Sequence, residues 1–166
     1  AIGAALFGNL RPNDTMLSVC ETPYDTLHNI IGINNAKDMG SLKNYGVKYK
    51  QLELNDKSKV DIQLMIKTLQ EDKSIKLLHI QRSTGYGWRK ALLICEIKEI
   101  IKSAKDINPN VICFVDNCYG EFIETTEPTD VGADLVAGSL IKNIGGGIAP
   151  TGGYIAGKEE YVLQAS

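Results

Sequence analysis

The sequence lacks an excess of charge, a long apolar run and the residues of an ordinary zinc site, and each absence removes a class of function. Across 166 residues, 18 lysines and arginines face 20 aspartates and glutamates, so the formal net charge is −2. Nucleic acid and anionic membrane surfaces require a basic face, and here the two signs are interspersed, so neither is an expected partner. No apolar run reaches the roughly 18 residues needed to cross a bilayer. There are two histidines, and the four cysteines, Cys20, Cys95, Cys113 and Cys118, make no C-x-x-C pair. Zinc-ligand spacing is therefore missing, and the thiols read as reduced, as in the cytoplasm. A composition 43% hydrophobic and 23% charged excludes disordered, collagen-like and disulfide-scaffold chains. The chain opens on Ala1 without a leader-type segment and stops inside a helical pattern, so it is expected to be part of a longer protein.

What is present is an alternation of short apolar runs with helical patterns. Met16 to Cys20, Val47 to Leu52, Ile75 to Ile80, Val111 to Val115 and Asp134 to Ala137 read as strands, several of them continuously apolar, as strands buried on both faces are. Between them, Asp61 to Glu71 places Ile62, Met65, Ile66 and Leu69 on one helical face, and Ala91 to Ala104 does the same with Ile94, Ile97, Ile100, Ile101 and Ala104. Pro109 ends the second helix near Asn108. The pattern predicts an α/β fold, a three-layer α/β/α domain on a mainly parallel sheet, with chemistry just beyond the carboxyl ends of the strands. Residues 1–160 read as one domain, with 161–166 starting a linker helix toward the next.

The unusual residues concentrate between Val111 and Gly157. The apolar strand Val111 to Val115 runs into Asp116, and a carboxylate there loses hydration and needs a cation or a good donor. Asp116 reads either as that functional carboxylate or as the cap of a following helix. After the strand Asp134 to Ala137 comes Gly138-Ser139-Leu140-Ile141-Lys142-Asn143, then Gly145-Gly146-Gly147. A lysine in a short turn between an apolar strand and a triple glycine is either a solvated surface residue or a pre-organised, partly desolvated nucleophile. The glycines read as a flexible loop or as backbone that a ligand approaches closely. Two rival phosphate-binding motifs fail. No G-x-G-x-x-G turn follows the first strand, where Glu21-Thr22-Pro23 stands instead, and Gly153 to Lys158 has one residue too few for a P-loop, with Glu159 in place of Ser or Thr.

Asp116-Asn117-Cys118-Tyr119-Gly120-Glu121, Ala133 to Asn143 and Gly145 to Tyr154 together closely resemble the bacterial methionine gamma-lyase-like family known as aluminium resistance proteins. That family belongs to the fold type I pyridoxal-phosphate enzymes, near the cystathionine gamma-lyase group. Leu6 to Pro12, Pro23 to Leu27 and Gln81-Arg82-Ser83 with Tyr86, Trp88 and Arg89 extend the resemblance to essentially the whole chain. The resemblance implies a pyridoxal 5'-phosphate enzyme acting on a small amino-acid substrate as a carbon-sulfur lyase, assembled as a homodimer or homotetramer. It gives Lys142 the Schiff base with the cofactor's aldehyde and Asp116 the pairing with the pyridine nitrogen, which keeps the ring protonated as an electron sink. It gives Ser139 a contact with the cofactor phosphate and Tyr24 the stack over the cofactor ring, although a turn serine and a core-edge tyrosine would look the same. Ala1 to Asn9 resembles the helix whose amino end receives the phosphate. The loop Gln81 to Arg89 departs from many relatives of the fold, which carry an Asn beside a Pro there, and it leaves Arg82, Tyr86 and Arg89 without roles. His79, on an apolar strand, reads as a satisfied core residue, and His28 carries no signal. Lysine and aspartate would equally serve an aminotransferase, a decarboxylase or an aldolase, and a non-catalytic descendant could retain them as a structural ion pair.

Overall fold

The computed structural model describes residues 1–33 and 40–166. Six strands form one sheet in the order β2-β1-β3-β4-β5-β6: β1 Thr15–Ser18, β2 Lys48–Gln51, β3 Ile75–Gln81, β4 Ile112–Asp116, β5 Leu135–Ser139 and β6 Gly153–Gly157. The first five are parallel and β6 pairs antiparallel with β5. The helices are α1 Ile2–Asn9, α2 Asp25–Ile31, α3 Ile62–Glu71, α4 Ile94–Ile107 and α5 Glu159–Gln164.

The pleat sends alternate residues to opposite faces, and each face has its own core. Leu17, Leu78, Ile80, Cys113, Val115 and Val136 pack against Met65 and Leu69 of α3 and Ile97, Ile100 and Ile101 of α4. Met16, Leu77, Ile112, Phe114, Leu135 and Ala137 pack against Ala5 and Leu6 of α1 and Leu27 and Ile31 of α2, with Tyr161 and Val162 of α5 beside them. The result is the three-layer α/β/α arrangement the sequence predicts. Burial on both faces explains why β3 and β4 read as continuous apolar runs rather than alternating ones.

The strand bounds shift by a residue or two from those read in the sequence; the helix preceding β4 shifts more. It begins at Ile94, not Ala91, because Leu92 and Leu93 spend their N–H groups elsewhere. Leu92 N donates to Arg82 O at 2.9 Å, Leu93 N to the Glu96 carboxylate at 3.0 Å, and Ile94 N to Glu124 Oε1 at 2.9 Å. Strand β6 is not among the strands read from the sequence. Its glycines are what let it pair, since a Cβ at Gly157 would run into Asp134 O and one at Gly153 would lie 2.8 Å from Gly138 O. No described helix is long and apolar enough to cross a membrane, and all four cysteines are free.

Asp134 pins the amino end of β5. It is 1% exposed and accepts from Cys113 N at 2.8 Å, with Lys105 at 2.6 Å and Lys158 at 2.7 Å. Burial alone would raise its carboxyl, but the hydrogen bonds from Lys105, Lys158 and Cys113 N outweigh that and hold it below the usual carboxylate range. Asp134→Ala leaves the buried Cys113 N–H unpaired while both lysines, partly exposed, rehydrate. It is expected to cost about 2 kcal/mol at neutral pH. A lowered carboxyl contributes its stability above the unfolded-state value and loses it as pH falls through the folded one. The gap between parent and variant in chemical denaturation should therefore close as the pH falls below about 4.

Candidate active site

The carboxyl ends of β3, β4 and β5 open into a cleft of about 660 Å³ lined by Tyr24, Tyr86, Asp116, Cys118, Tyr119 and Lys142, with an apolar wall that includes Leu92, Leu93 and Ile123. Strand register decides which side chains arrive there. Gln81 pairs with Asp116 and Asp116 with Ala137, so Ser139, two residues on, extends from the same face one step beyond Asp116.

Asp116 closes β4 and is 3% exposed. Its Oδ1 accepts from Cys118 N at 3.1 Å, a bond two residues along the chain that shapes a turn. No helix follows, which removes the capping alternative. Cys118 is tucked behind this carboxylate. Its burial, then the negative charge and hydrogen bond of Asp116, push its thiol up to about 12, so it stays protonated.

Lys142 sits in a tight π-type turn, Leu140–Ile144, where it alone leaves helical geometry, at φ −105° and ψ −131°. Ser139 Oγ opens this turn by accepting from Ile141 N at 3.4 Å. Ser139 thus supports the lysine's turn and does not itself line the cleft. Gly145 to Gly147 likewise fold back beyond the turn without reaching the cleft. A Cβ at Gly145 would strike Leu140 O. The Lys142 ammonium lies 4.2 Å from the centre of the Tyr119 ring and 6.0 Å from that of Tyr24. None of the ion pairs among the described residues includes Lys142 or Asp116. The two groups share a cleft without forming a structural salt bridge.

Tyr24 precedes α2 and is fixed by β3, its N donating to Gln81 Oε1 at 2.7 Å. Its ring stacks on that of Tyr86, with centroids 5.2 Å apart and planes 22° apart, and the hydroxyls meet at 3.1 Å. The hydrogen bond with Tyr86 pushes the Tyr24 phenol up to about 12. Tyr86 therefore acquires a place as the outer layer of a tyrosine pair. The two arginines without roles are occupied by the protein. Arg89 Nη2 donates to the carbonyls of Gln81 and Ser83 at 2.6 and 2.5 Å. Arg82, 3% exposed, donates to Asn117 Oδ1 at 2.9 Å, Gly120 O at 2.7 Å and Glu124 Oε1 at 2.8 Å.

Sequence reading missed the loop that Arg82 secures. Tyr119 and Phe122 have φ of 67° and 61°, the left-handed region that costs a bulky residue about 1–3 kcal/mol. Asn143, next to the lysine, donates its amide to Tyr119 O at 2.9 Å and Glu121 O at 3.1 Å. Asn and Gly in the stretch 117–120 signal a turn, but nothing in the sequence says that a tyrosine takes the left-handed position. His79 is also only half satisfied. Its Nδ1 faces Ser18 Oγ at 3.4 Å and its Nε2 has no partner among the described residues. Burial lowers it to about 4, so the ring is neutral. His28 Nε2 lies 2.8 Å from Pro23 O.

The family model for methionine gamma-lyase matches residues 1–166. The chain belongs to the methionine gamma-lyase family. It is 49% identical over its whole length to YnbB of Bacillus subtilis (strain 168), a protein of uncharacterized function, and covers 39% of it. Among solved structures it is similar to a Clostridium novyi NT carbon-sulfur lyase involved in aluminium resistance, at 62% identity and TM-score 0.96 over 100% of this chain and 39% of that one. It is similar also to a Clostridium acetobutylicum protein assigned as a cystathionine beta-lyase involved in aluminium resistance, at 72% identity and TM-score 0.96, covering 99% of this chain and 39% of that one. The chain thus spans about two fifths of the length of each. At 16% identity, Escherichia coli YhfS, a pyridoxal-5'-phosphate-dependent protein, shares the fold with TM-score 0.74. A member of this family therefore carries its central sheet with the Asp116 and Lys142 loops side by side.

Behind the cleft, Tyr154 of β6 donates to Glu121 Oε1 at 3.0 Å, and both press on Gly138 of β5, where a Cβ would collide with Glu121 and lie 2.7 Å from the Tyr154 hydroxyl. Gly138→Ala is expected to lower stability by about 2 kcal/mol through overpacking. Thermal unfolding monitored by circular dichroism checks this, and an unchanged melting temperature would show that β6 gives way freely.

Proposed function

We propose that the protein is a pyridoxal 5'-phosphate-dependent carbon-sulfur lyase acting on a sulfur-containing amino acid, with Lys142 as the covalent anchor of the cofactor. The observation that carries the reading is that Asp116, nearly fully buried, receives only the Cys118 N–H and thiol, and no cationic side chain lies within ion-pair reach among the described residues. A carboxylate held so dry calls for a further charged donor, and a protonated pyridine nitrogen is a donor of that kind. The residues fit the group. Asp116 would take the ring nitrogen, Lys142 the aldehyde, and Tyr24 the ring face, while Ser139 would reach the phosphate only through the mouth of the lysine's turn. Residues 1–160 then form part of the large, cofactor-binding domain. The names of the carbon-sulfur lyase relatives support the reaction class, and homodimeric or homotetrameric assembly and a cytoplasmic setting go with it.

Bound there, the cofactor supplies an electron sink for charge that develops beside the substrate's amino group. The chain's own residues do the rest. Asp116 would fix the ring orientation by holding its nitrogen. Tyr24, with a phenol held protonated by its hydrogen bond with Tyr86, offers a flat face that stays uncharged through the neutral range. Lys142 Nζ, at the mouth of the cleft, would be the base that takes the proton from the substrate's alpha carbon and returns it elsewhere. Leu92, Leu93 and Ile123 give the cleft an apolar wall suited to a thioether side chain.

The test is the visible absorption spectrum of the intact protein supplied with pyridoxal 5'-phosphate, beside that of Lys142→Ala. A borohydride-reducible band in the parent alone is expected, and Asp116→Asn should retain the band while slowing turnover of sulfur amino acids by at least about 100-fold, the order of a lost charge-stabilising contact. No band in the parent, or a reducible band that persists in Lys142→Ala, overturns the assignment.

A further inference from the structure

Tyr119 is the least expected residue of the cleft. An aromatic side chain with φ of 67° holds an unfavourable backbone, and burial does not explain it, because Tyr119 is 57% exposed and belongs to neither hydrophobic core. What holds it is the turn that bears the lysine. The successive side chains Lys142 and Asn143 diverge and grip Tyr119 at both ends. The Lys142 ammonium lies 4.2 Å from the ring centre, and the Asn143 amide donates to the Tyr119 carbonyl at 2.9 Å and to that of Glu121 at 3.1 Å. From the other side, Arg82 Nη1 holds Gly120 O at 2.7 Å and Asn117 Oδ1 at 2.9 Å. A relaxation of Tyr119 to negative φ would swing the ring off the lysine and pull its carbonyl from Asn143. The Tyr119 hydroxyl has no hydrogen-bond partner among the described residues, so the ring face is the part in use.

We propose that Tyr119 and Asn143 are positioning residues for Lys142. Asn143 locks the lysine's turn to the loop after β4, and the Tyr119 ring holds the ammonium at the mouth of the Asp116 cleft until an electrophilic partner takes it. The attraction is that of a cation for the negative face of an aromatic ring, which a neutral amine does not share. The proposal rests on the reading of Lys142 as the reactive lysine, yet its test does not need the cofactor.

The intact protein, treated with hydroxylamine and dialysed, is exposed to trace acetic anhydride at several pH values, and acetylation of Lys142 relative to the exposed Lys67 is read by mass spectrometry. Glycine adopts the left-handed backbone freely, so Tyr119→Gly keeps the loop while removing the ring. It is expected to raise relative Lys142 labelling at neutral pH about two- to five-fold, the range of a partly exposed cation–aromatic contact. Asn143→Ala should move it in the same direction, and Tyr119→Phe should match the parent. Equal labelling in Tyr119→Gly and parent overturns the proposal, as does a Tyr119→Phe variant that behaves like Tyr119→Gly, since the ring would then not be the agent. Absence of the reducible band in the parent protein overturns the proposed function instead, and the labelling ratios still read the contact.

Discussion

Five parallel strands end along one edge, and that shared edge fixes where chemistry can occur. Parallel pairing forces each strand to be followed by a crossover, so the chain leaves β3, β4 and β5 at the same side of the sheet and diverges there. The register sets Gln81 beside Asp116 and Asp116 beside Ala137. Gln81 then anchors the backbone of Tyr24, and the segment beyond Ala137 brings round the lysine's turn. The antiparallel β6 completes the arrangement from the far edge, since Gly152 O accepts from Leu140 N at 3.1 Å and fastens the start of that turn.

Rigidity at this edge comes from polar groups rather than from core packing. Arg82 is buried and nonetheless satisfied, reaching Asn117, Gly120 and Glu124 directly. Asn117 in turn donates to Glu127 Oε2 at 3.0 Å and to the Tyr154 hydroxyl at 3.3 Å. Such a network specifies one loop conformation because each member left unpaired would cost its full desolvation. That over-determination is what lets Tyr119 and Phe122 remain in strained backbone. The Tyr119 ring, turned to the cleft, makes no hydrogen bond among the described residues and stands beside the lysine.

The sheet, its parallel sense and the two amphipathic helices were legible because both faces of each central strand are buried and each helix buries one stripe. Asp116 and Lys142 were singled out for related reasons: Asp116 closes an apolar strand, and Lys142 stands in a short turn between an apolar strand and three glycines. Other features depend on distant contacts. The residues just before α4 look helical by periodicity, but Arg82 O and the Glu96 carboxylate claim the N–H groups of Leu92 and Leu93. Strand β6 escapes a sequence reading because its glycines are chosen for close approach to β5 rather than for strand propensity. Ser139 has the right spacing for a phosphate contact, but spacing along a chain says nothing about whether a hydroxyl turns toward a cleft or toward its own backbone. Tyr119 and Asn143 could not be read at all, since their meaning lies in φ and in a bond across 24 residues.

Two aspartates of this sheet show how structure and function separate at equal burial. Asp134, 1% exposed, and Asp116, 3% exposed, sit at opposite ends of neighbouring strands. Asp134 is given two lysines and a backbone N–H, which together repay its lost hydration and leave it nothing to offer. Asp116 is given one backbone N–H and a thiol that stays protonated, while Lys142, across the cleft, lies against aromatic rings instead of on the carboxylate. A protein that needed Asp116 only for its fold would place Lys142 on it, because an unpaired buried carboxylate is destabilising. With the lysine on Tyr119 and the carboxylate open, the cleft has the arrangement that the proposed cofactor, with a cationic donor at one end and an electrophile at the other, would use. The separation of Asp116 from Lys142, more than the presence of either, is the feature of this cleft that structural economy alone does not produce.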